Sequence, residues 1–228
     1  MDVTVRQGPA FAVARVGLGG GEEVKVEAGA MMGHSGGVEL DSKIEGGLMK
    51  GLKRSVLGDE SLFITKYVAP GEGGWVDCAA RLPGDITVLG VDGAVNLTRG
   101  SWLCSSEGVE IDTKWGGFKN VAGGEGGFLV RAEGQGQVVA ACYGALDQHT
   151  LDDGDEQILD SGHLVAFSDG IDYETRTVVK GVKGLAKSFT SGEGFVFEFR
   201  GPGQVWTQTR SQRDLIDYLT QALPFSRD

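Results

Sequence analysis

The sequence predicts an all-β protein made of three tandem units and closed by a C-terminal α-helix. The main observation behind this prediction is a Gly-Glu signature that occurs three times. In chain order the signatures are GDESLF at 58–63, GEGGF at 124–128 and GEGF at 192–195. Their glutamates, Glu60, Glu125 and Glu193, lie 65 and 68 residues apart. A period near 65 residues indicates duplicated structural units rather than one irregular domain.

Two further blocks accompany each signature in the same order. Upstream are two glycines eight positions apart, and alternating apolar and acidic residues follow them. These pairs are Gly29 and Gly37, Gly100 and Gly108, and Gly162 and Gly170. Downstream, two apolar runs flank a Gly-x-Gly at 71–73, 134–136 and 201–203. We predict a β-hairpin at each Gly-x-Gly, because glycine supplies the backbone conformation of tight turns.

Glycine is strongly over-represented, with 39 of the 228 residues, where an average chain of this length has roughly 16. A glycine inside a strand or helix costs roughly 0.5–1 kcal/mol, and folded proteins are only marginally stable. The extra glycines therefore belong at turns, bulges and close strand approaches. Many tight turns between short strands are typical of all-β proteins.

The repeats divide the chain into β units at 1–70, 71–140 and 141–209, with a helix and tail at 210–228. The strand candidates are, in chain order, 24–26, 30–34, 38–40, 86–89, 94–97, 102–105, 109–113, 156–159, 164–167, 171–177 and 195–199. The last candidate, 195–199, has phenylalanine at every second position, which predicts one buried face. Each unit has too little apolar surface to fold alone, so we expect the three to pack about a pseudo-threefold axis.

One α-helix is predicted, at 211–223. Ser211 is a suitable N-cap with Asp214 three residues later, and Pro224 ends the pattern. The apolar stripe of this helix consists of Leu215, Tyr218, Leu219, Ala222 and Leu223.

Composition excludes several classes of protein. The formal net charge of −11 disfavours nucleic-acid binding, which needs clustered Lys and Arg. Cys78, Cys104 and Cys142 are odd in number and lack a CxxC spacing, so we expect buried, reduced thiols. The first residues lack the apolar core of a signal peptide, and no window approaches 18 apolar residues. These features predict a cytoplasmic location.

Three segments resemble a known family. GDESLF, WGGFKNVAGGEGGF at 115–128 and VWTQTRS at 205–211 are similar to the altered-inheritance-of-mitochondria protein 24 family, in order and over nearly the whole chain. The resemblance implies a fold like that of the tryptophan RNA-binding attenuation protein, with three attenuator-like units of the short double-stranded β-helix type per chain. It also implies homotrimers that close a ring of nine units. Fungal members of this family organise the mitochondrial inner membrane, whereas bacterial members have no established activity.

The repeated glutamates are the first candidate site. Glu60, Glu125 and Glu193 would repel one another if they converged on the axis, so they would hold a cation or a polar ligand there. Alternatively, each accepts backbone N–H bonds in its own glycine-rich turn, and we favour this structural interpretation.

A basic, apolar stretch at 46–57 is the second candidate. Lys50, Lys53 and Arg54 alternate there with Leu48, Leu52 and Val56. The stretch would contact anionic lipid at the inner face of a membrane. The alternative, which we favour, is that it packs its apolar side on the β core.

Enzymatic motifs are missing from the sequence. His34, His149 and His163 are too far apart for a cupin metal site, no GxSxG or Walker-type loop occurs, and no cofactor is indicated. We therefore predict a non-enzymatic oligomeric scaffold or binding ring. The alternative is a small-molecule-binding regulator with ligand sites between its β units.

Overall fold

A computed structural model describes residues 1–41, 64–112, 129–177 and 195–223 of the chain. Within these ranges it has seventeen β-strands, two short 3-10 turns and one α-helix. The first eight strands are β1 (Asp2–Arg6), β2 (Val13–Leu18), β3 (Glu23–Glu27), β4 (Met31–His34), β5 (Glu39–Asp41), β6 (Ile64–Val68), β7 (Gly74–Ala79) and β8 (Ile86–Thr98). The others are β9 (Trp102–Ser106), β10 (Val109–Asp112), β11 (Leu129–Ala141), β12 (Leu146–Leu151), β13 (Glu156–Asp160), β14 (Leu164–Ser168), β15 (Asp172–Thr177), β16 (Phe195–Arg200) and β17 (Gly203–Gln208).

The strands form three sheets whose described neighbours are antiparallel. A four-stranded sheet has the order β1-β2-β7-β4, and a three-stranded sheet has the order β13-β16-β15. The largest sheet has ten strands, in the order β12-β17-β14-β8-β11-β9-β3-β6-β5, with β10 paired to β11. The predicted all-β fold with a C-terminal helix is confirmed.

Alternating side chains explain why these strands have one buried face. In β2, Ala14, Val16 and Leu18 are buried while the residues between them are half-buried. In β16, Phe197 and Phe199 are fully buried, as the alternation predicts. Glu198 lies between them and is also buried. Its carboxylate forms ion pairs with Arg176 and Arg200, which compensate the burial of its charge.

Three hydrophobic clusters form the core. The first cluster packs between β2, β3, β7 and β9 and contains the buried thiols of Cys78 and Cys104. The second surrounds Trp102 and contains Cys142, and the third is centred on Phe167, Phe197 and Phe199. All three cysteines are free and buried, which confirms that prediction.

The Gly-x-Gly segments do not form the predicted hairpins. Gly71–Gly73 lies between β6 and β7, which belong to different sheets and do not pair with each other. In the middle repeat the glycines lie inside the 13-residue strand β11, where Gly134 pairs with Gly93 of β8. Gly134 has a φ of 127°, and a Cβ there would lie 2.1 Å from the carbonyl oxygen of Gly108. Gly71 and Glu72 do form a turn, in which the Gly73 N–H donates to the Pro70 carbonyl oxygen at 2.8 Å, but this turn joins strands of different sheets. Inside β11, glycine is needed for close backbone approach.

The C-terminal helix α1 (Gln212–Ala222) begins where the sequence predicts. The Ser211 hydroxyl accepts a hydrogen bond from the Asp214 N–H at 3.3 Å and so caps the first turn. Its apolar side chains Ile216 and Tyr218 are exposed, as is Leu223 just after the helix. No helix in the described ranges has the length and apolar character needed to cross a membrane.

Candidate interaction surface

The residues predicted as sites from the sequence lie outside the described ranges. They are Glu60, Glu125 and Glu193 of the repeated signatures, and Lys50, Lys53 and Arg54 of the basic stretch. Their predicted roles, as a cation site or turn acceptors and as a lipid contact, stay predictions.

The three histidines are described, and each contacts a different residue. His34 Nδ1 lies 2.9 Å from the Ser35 carbonyl oxygen, and His149 Nε2 lies 3.2 Å from the Thr207 hydroxyl. His163 Nδ1 lies 2.7 Å from the Gln208 carbonyl oxygen. Across the part of the chain that the structure describes, no three His, Cys, Asp or Glu side chains group closely enough to hold a metal ion.

The ten-stranded sheet contains an inner junction between β3 and β9. There Val24 pairs with Ser106, Lys25 with Ser105 and Val26 with Cys104. Lys25 is buried, and its Nζ donates to the Val109 carbonyl oxygen at 2.9 Å and to Glu110 Oε1 at 2.6 Å. The two hydrogen bonds compensate the burial of its charge.

A second inner junction joins β8 to β14. There Asn96 pairs with Phe167 and Leu97 with Ala166. Asn96 is buried, and its Oδ1 lies 3.4 Å from Nη1 of Arg131. The Arg131 guanidinium also makes a bidentate contact with Asp169, at 2.5 and 2.9 Å. This hydrogen bonding holds the pKa of the Asp169 carboxyl below its ordinary value.

Two strands that end sheets have no such neighbour among the described strands. β4 ends the four-stranded sheet beside β7, and β13 ends the three-stranded sheet beside β16. Met32 on β4 is 60% exposed and Ile158 on β13 is 59% exposed. An edge strand with a large exposed apolar side chain is a site for pairing with another chain. These two strands, with Met32, His34 and Ile158, form the candidate interaction surface.

An ion cluster of one buried carboxylate and two half-buried arginines lies next to β4. Asp77 of β7 pairs in register with Gly33 of β4 and is buried. Its carboxylate accepts hydrogen bonds from Arg15 at 2.8 and 2.9 Å and from Arg6 at 2.6 Å. The Arg15 guanidinium also lies 3.9 Å from the ring centroid of Trp75. The Arg15 hydrogen bond is the main reason that the pKa of Asp77 is lowered, and the desolvation of the carboxyl opposes this shift.

We expect Asp77→Asn to destabilise the fold at neutral pH by about 1–3 kcal/mol, the range for hydrogen bonds to charged groups. A carboxyl whose pKa is lower in the folded state contributes stability above its unfolded pKa of about 3.9 and loses it as the pH falls through the folded value. The melting temperatures of the native protein and of Asp77→Asn should therefore begin to converge below about pH 4 and meet once the pH lies below the lowered pKa of the folded state. Thermal melts at several pH values between 7 and 2.5 measure this.

The matched control is Asp153→Asn, which changes an exposed carboxyl in the turn after β12. It should leave the melting temperature nearly unchanged at neutral pH. A difference between native protein and Asp77→Asn that stays constant down to pH 2.5 would contradict the assignment of Asp77.

Reasoning from the sequence missed the residues of this surface, although the repeats contain a signal for two of them. Aligned by their upstream glycines, the repeats place Ile158 where the other two have the polar residues Lys25 and Asn96. The same alignment matches His34 with Ser105 and Phe167. For Met32 the alignment shows only another apolar residue, so its exposure depends on the fold.

Comparisons with known proteins agree with this architecture. A family model described as Mitochondrial biogenesis AIM24 matches residues 3–210. An uncharacterised protein of Streptococcus pyogenes serotype M6 is 30% identical over 241 residues, which cover 99% of this chain and 92% of that protein. A crystal structure of a Streptococcus pyogenes protein superposes with a TM-score of 0.80 at 28% identity, covering 97% of this chain and 99% of the other.

Proposed function

Because this chain belongs to the family described as Mitochondrial biogenesis AIM24, as its signatures suggested, we propose that it is a non-enzymatic homo-oligomeric scaffold or binding ring. The observation that carries the proposal is that no described strand covers β4 or β13, which end two of the sheets, whereas other described strands cover their counterparts inside the chain.

Strand pairing follows the same order in three parts of the chain. In the first part the orders are β3-β6-β5 and β2-β7-β4. In the second, the long strands β8 and β11 provide the central pairs of both sets, with β10 and β9 as the outer strands. In the third the orders are β13-β16-β15 and β12-β17-β14. This recurrence supports three tandem attenuator-like units in a pseudo-threefold arrangement.

β4, β9 and β14 are equivalent strands of the three parts, and each has the same irregularity. Each strand has a β-bulge opposite its partner, and the extra residues are Met32, Leu103 and Val165. A shared bulge is a designed feature that redirects a side chain. By the same pairing logic, Lys25, Asn96 and Ile158 are equivalent on β3, β8 and β13, because they face Lys66, Arg131 and Glu198 respectively.

Residues at equivalent positions differ in burial. Leu103 and Val165 are 1% and 0% exposed, whereas the equivalent Met32 is 60% exposed. Lys25 and Asn96 are 5% and 2% exposed, whereas the equivalent Ile158 is 59% exposed. The inner junctions cover both positions, so a further junction of the same kind between copies would cover Met32 and Ile158. Contacts between unlike surfaces close into rings when the rotation permits, and we propose the closed homotrimer that the resemblance implies.

The test is analytical ultracentrifugation of the full chain. We expect a single species at about three times the chain mass of 24.0 kDa, unchanged over a wide concentration range because a closed ring leaves no free edge. A species of one chain mass that persists at all concentrations would overturn the proposal.

Other parts of the functional hypothesis stay predictions. A small-molecule regulator with ligand sites between the β units remains the alternative function. A peripheral membrane contact through Lys50, Lys53 and Arg54, and a cytoplasmic location, depend on residues or properties outside the described part of the chain.

A further inference from the structure

We infer that Met32 of one copy inserts into the third hydrophobic cluster of the next copy, while β4 pairs antiparallel with β13 and places His34 opposite Ile158. This inference rests on the proposed self-association and specifies its partner surface. The partner surface is defined by the register of β4 against β13 and by the third hydrophobic cluster, which receives the side chain of Met32.

The inner junctions show what the bulged residue does. Leu103 and the following Cys104 on β9 both pack in the first hydrophobic cluster, with Val24 and Val26 of β3. The residue before Leu103, Trp102, packs in the second cluster. The bulge therefore sends Leu103 into the core of the preceding unit and leaves Trp102 in its own.

The second inner junction repeats this arrangement. Val165 on β14 packs in the second cluster, with Val95 and Leu97 of β8. Ala166 after it also packs in the second cluster, whereas Leu164 before it and Phe167 two residues after it pack in the third. At both junctions, the bulged residue of one unit thus completes the core of the unit before it.

The edge strands β4 and β13 each carry one half of the same arrangement, which is the bulged residue on β4 and the receiving cluster beside β13. Met32 is the bulged residue of the first unit, and its side chain is left exposed by the described residues of its own chain. At the other end, the third cluster contains Phe197 and Phe199, with Leu159 of β13 packed against it and only partly buried. Leu159 occupies the place that Val26 and Leu97 hold at the inner junctions. The third cluster of a second copy is therefore the apolar site that matches Met32.

The register follows from the same equivalences. Ser105 faces Lys25 at the first junction, and Phe167 faces Asn96 at the second. His34 is equivalent to Ser105 and Phe167, because the three pair with Val76, Val138 and Val205 on their other side. Since Ile158 is equivalent to Lys25 and Asn96, it faces His34 of the second copy. The contact joins unlike strands, so it is heterologous.

The experiment uses cysteine cross-linking between two differently substituted chains. Full-length His34→Cys and Ile158→Cys proteins are mixed, exchanged under mild denaturant, refolded and oxidised. Paired residues in antiparallel strands have Cα separations of about 4.5–5.5 Å, within the range for disulfides. We expect a covalent dimer on non-reducing gels from the mixture and at most one tenth as much from either variant alone.

The register control is Glu156→Cys mixed with His34→Cys. Glu156 lies two residues from Ile158 on the same face of β13, roughly 7 Å along the strand, so we expect at least tenfold less cross-link. Equal cross-linking at positions 156 and 158 would overturn the register. Cross-linking of His34→Cys with itself would overturn the heterologous contact.

A second measurement needs no substitution. Hydrogen exchange of the native oligomer should protect the amides of β4 and β13 as strongly as those of β9 and β14. Exchange at β4 and β13 as fast as at β5 would overturn the inferred contact. If ultracentrifugation shows a trimer while both measurements fail, this inference is wrong and self-association stands; a monomer removes both.

Discussion

Met32→Asp is expected to convert the proposed trimer into monomers while leaving the fold of each chain intact. Met32 is exposed in the single chain, so the carboxylate stays hydrated in the monomer. At the inferred junction the same carboxylate would enter an apolar core without a partner, at a cost of about 3–5 kcal/mol. The dissociation constant should therefore rise on the order of 100- to 4,000-fold. Sedimentation velocity over a range of concentrations measures this change, and thermal melts of the monomer monitor the fold.

The matched control is Met32→Leu, which introduces the residue found at the equivalent position 103. A change between two apolar residues of similar volume costs less than about 1.5 kcal/mol, so the trimer should persist. If Met32→Asp sediments as the native protein does, Met32 is not buried between copies and the inferred junction is wrong.

Leu103→Asp is expected to unfold the chain, although it makes the same kind of change at an equivalent position. Leu103 is buried within the first hydrophobic cluster. The substitution removes apolar packing worth about 2–5 kcal/mol and also buries an unpaired charge. Such a loss is a large part of the roughly 5–15 kcal/mol by which native proteins are stable. Urea denaturation followed by circular dichroism measures it.

The conservative counterpart is Leu103→Met, which places the first unit's residue in the second unit. It should lower the free energy of unfolding by less than about 1.5 kcal/mol. Comparable stability of Leu103→Asp and the native protein would mean that the inner junction is open in solution. In that case it could not serve as the template for a junction between copies.

The sequence was sufficient to predict the class of fold and its local elements. The glycine excess and the repeated spacing predicted short strands, and the structure confirms an all-β chain. Ser211 and Asp214 predicted the start of helix α1, because N-capping depends on residues only three positions apart. The burial of Cys78, Cys104 and Cys142 followed from the apolar character of a free thiol. The family match confirms the resemblance carried by the three sequence segments.

The sequence did not locate the described interaction surface. The residues it favoured, Glu60, Glu125, Glu193, Lys50, Lys53 and Arg54, lie outside the described ranges, so their roles stay predictions. The exposure of Met32 could not be predicted, because an apolar side chain has the same hydrophobicity whether or not another strand covers it. What differs is whether another strand lies beside it, and strand neighbours are set by contacts far apart in the chain.

Long-range pairing also decided what the glycines and charges do. The same Gly-x-Gly motif lies at a corner between sheets in the first repeat and inside a continuous strand in the second, so local sequence alone could not distinguish them. Lys25 is a charged residue in an alternating strand, which predicts exposure, but the pairing of β3 with β9 buries it against Val109 and Glu110. Local propensity and spacing thus determined the elements of this protein. Which edges are covered and which remain open was decided by tertiary structure, because burial is a property of neighbours that the chain brings together only on folding.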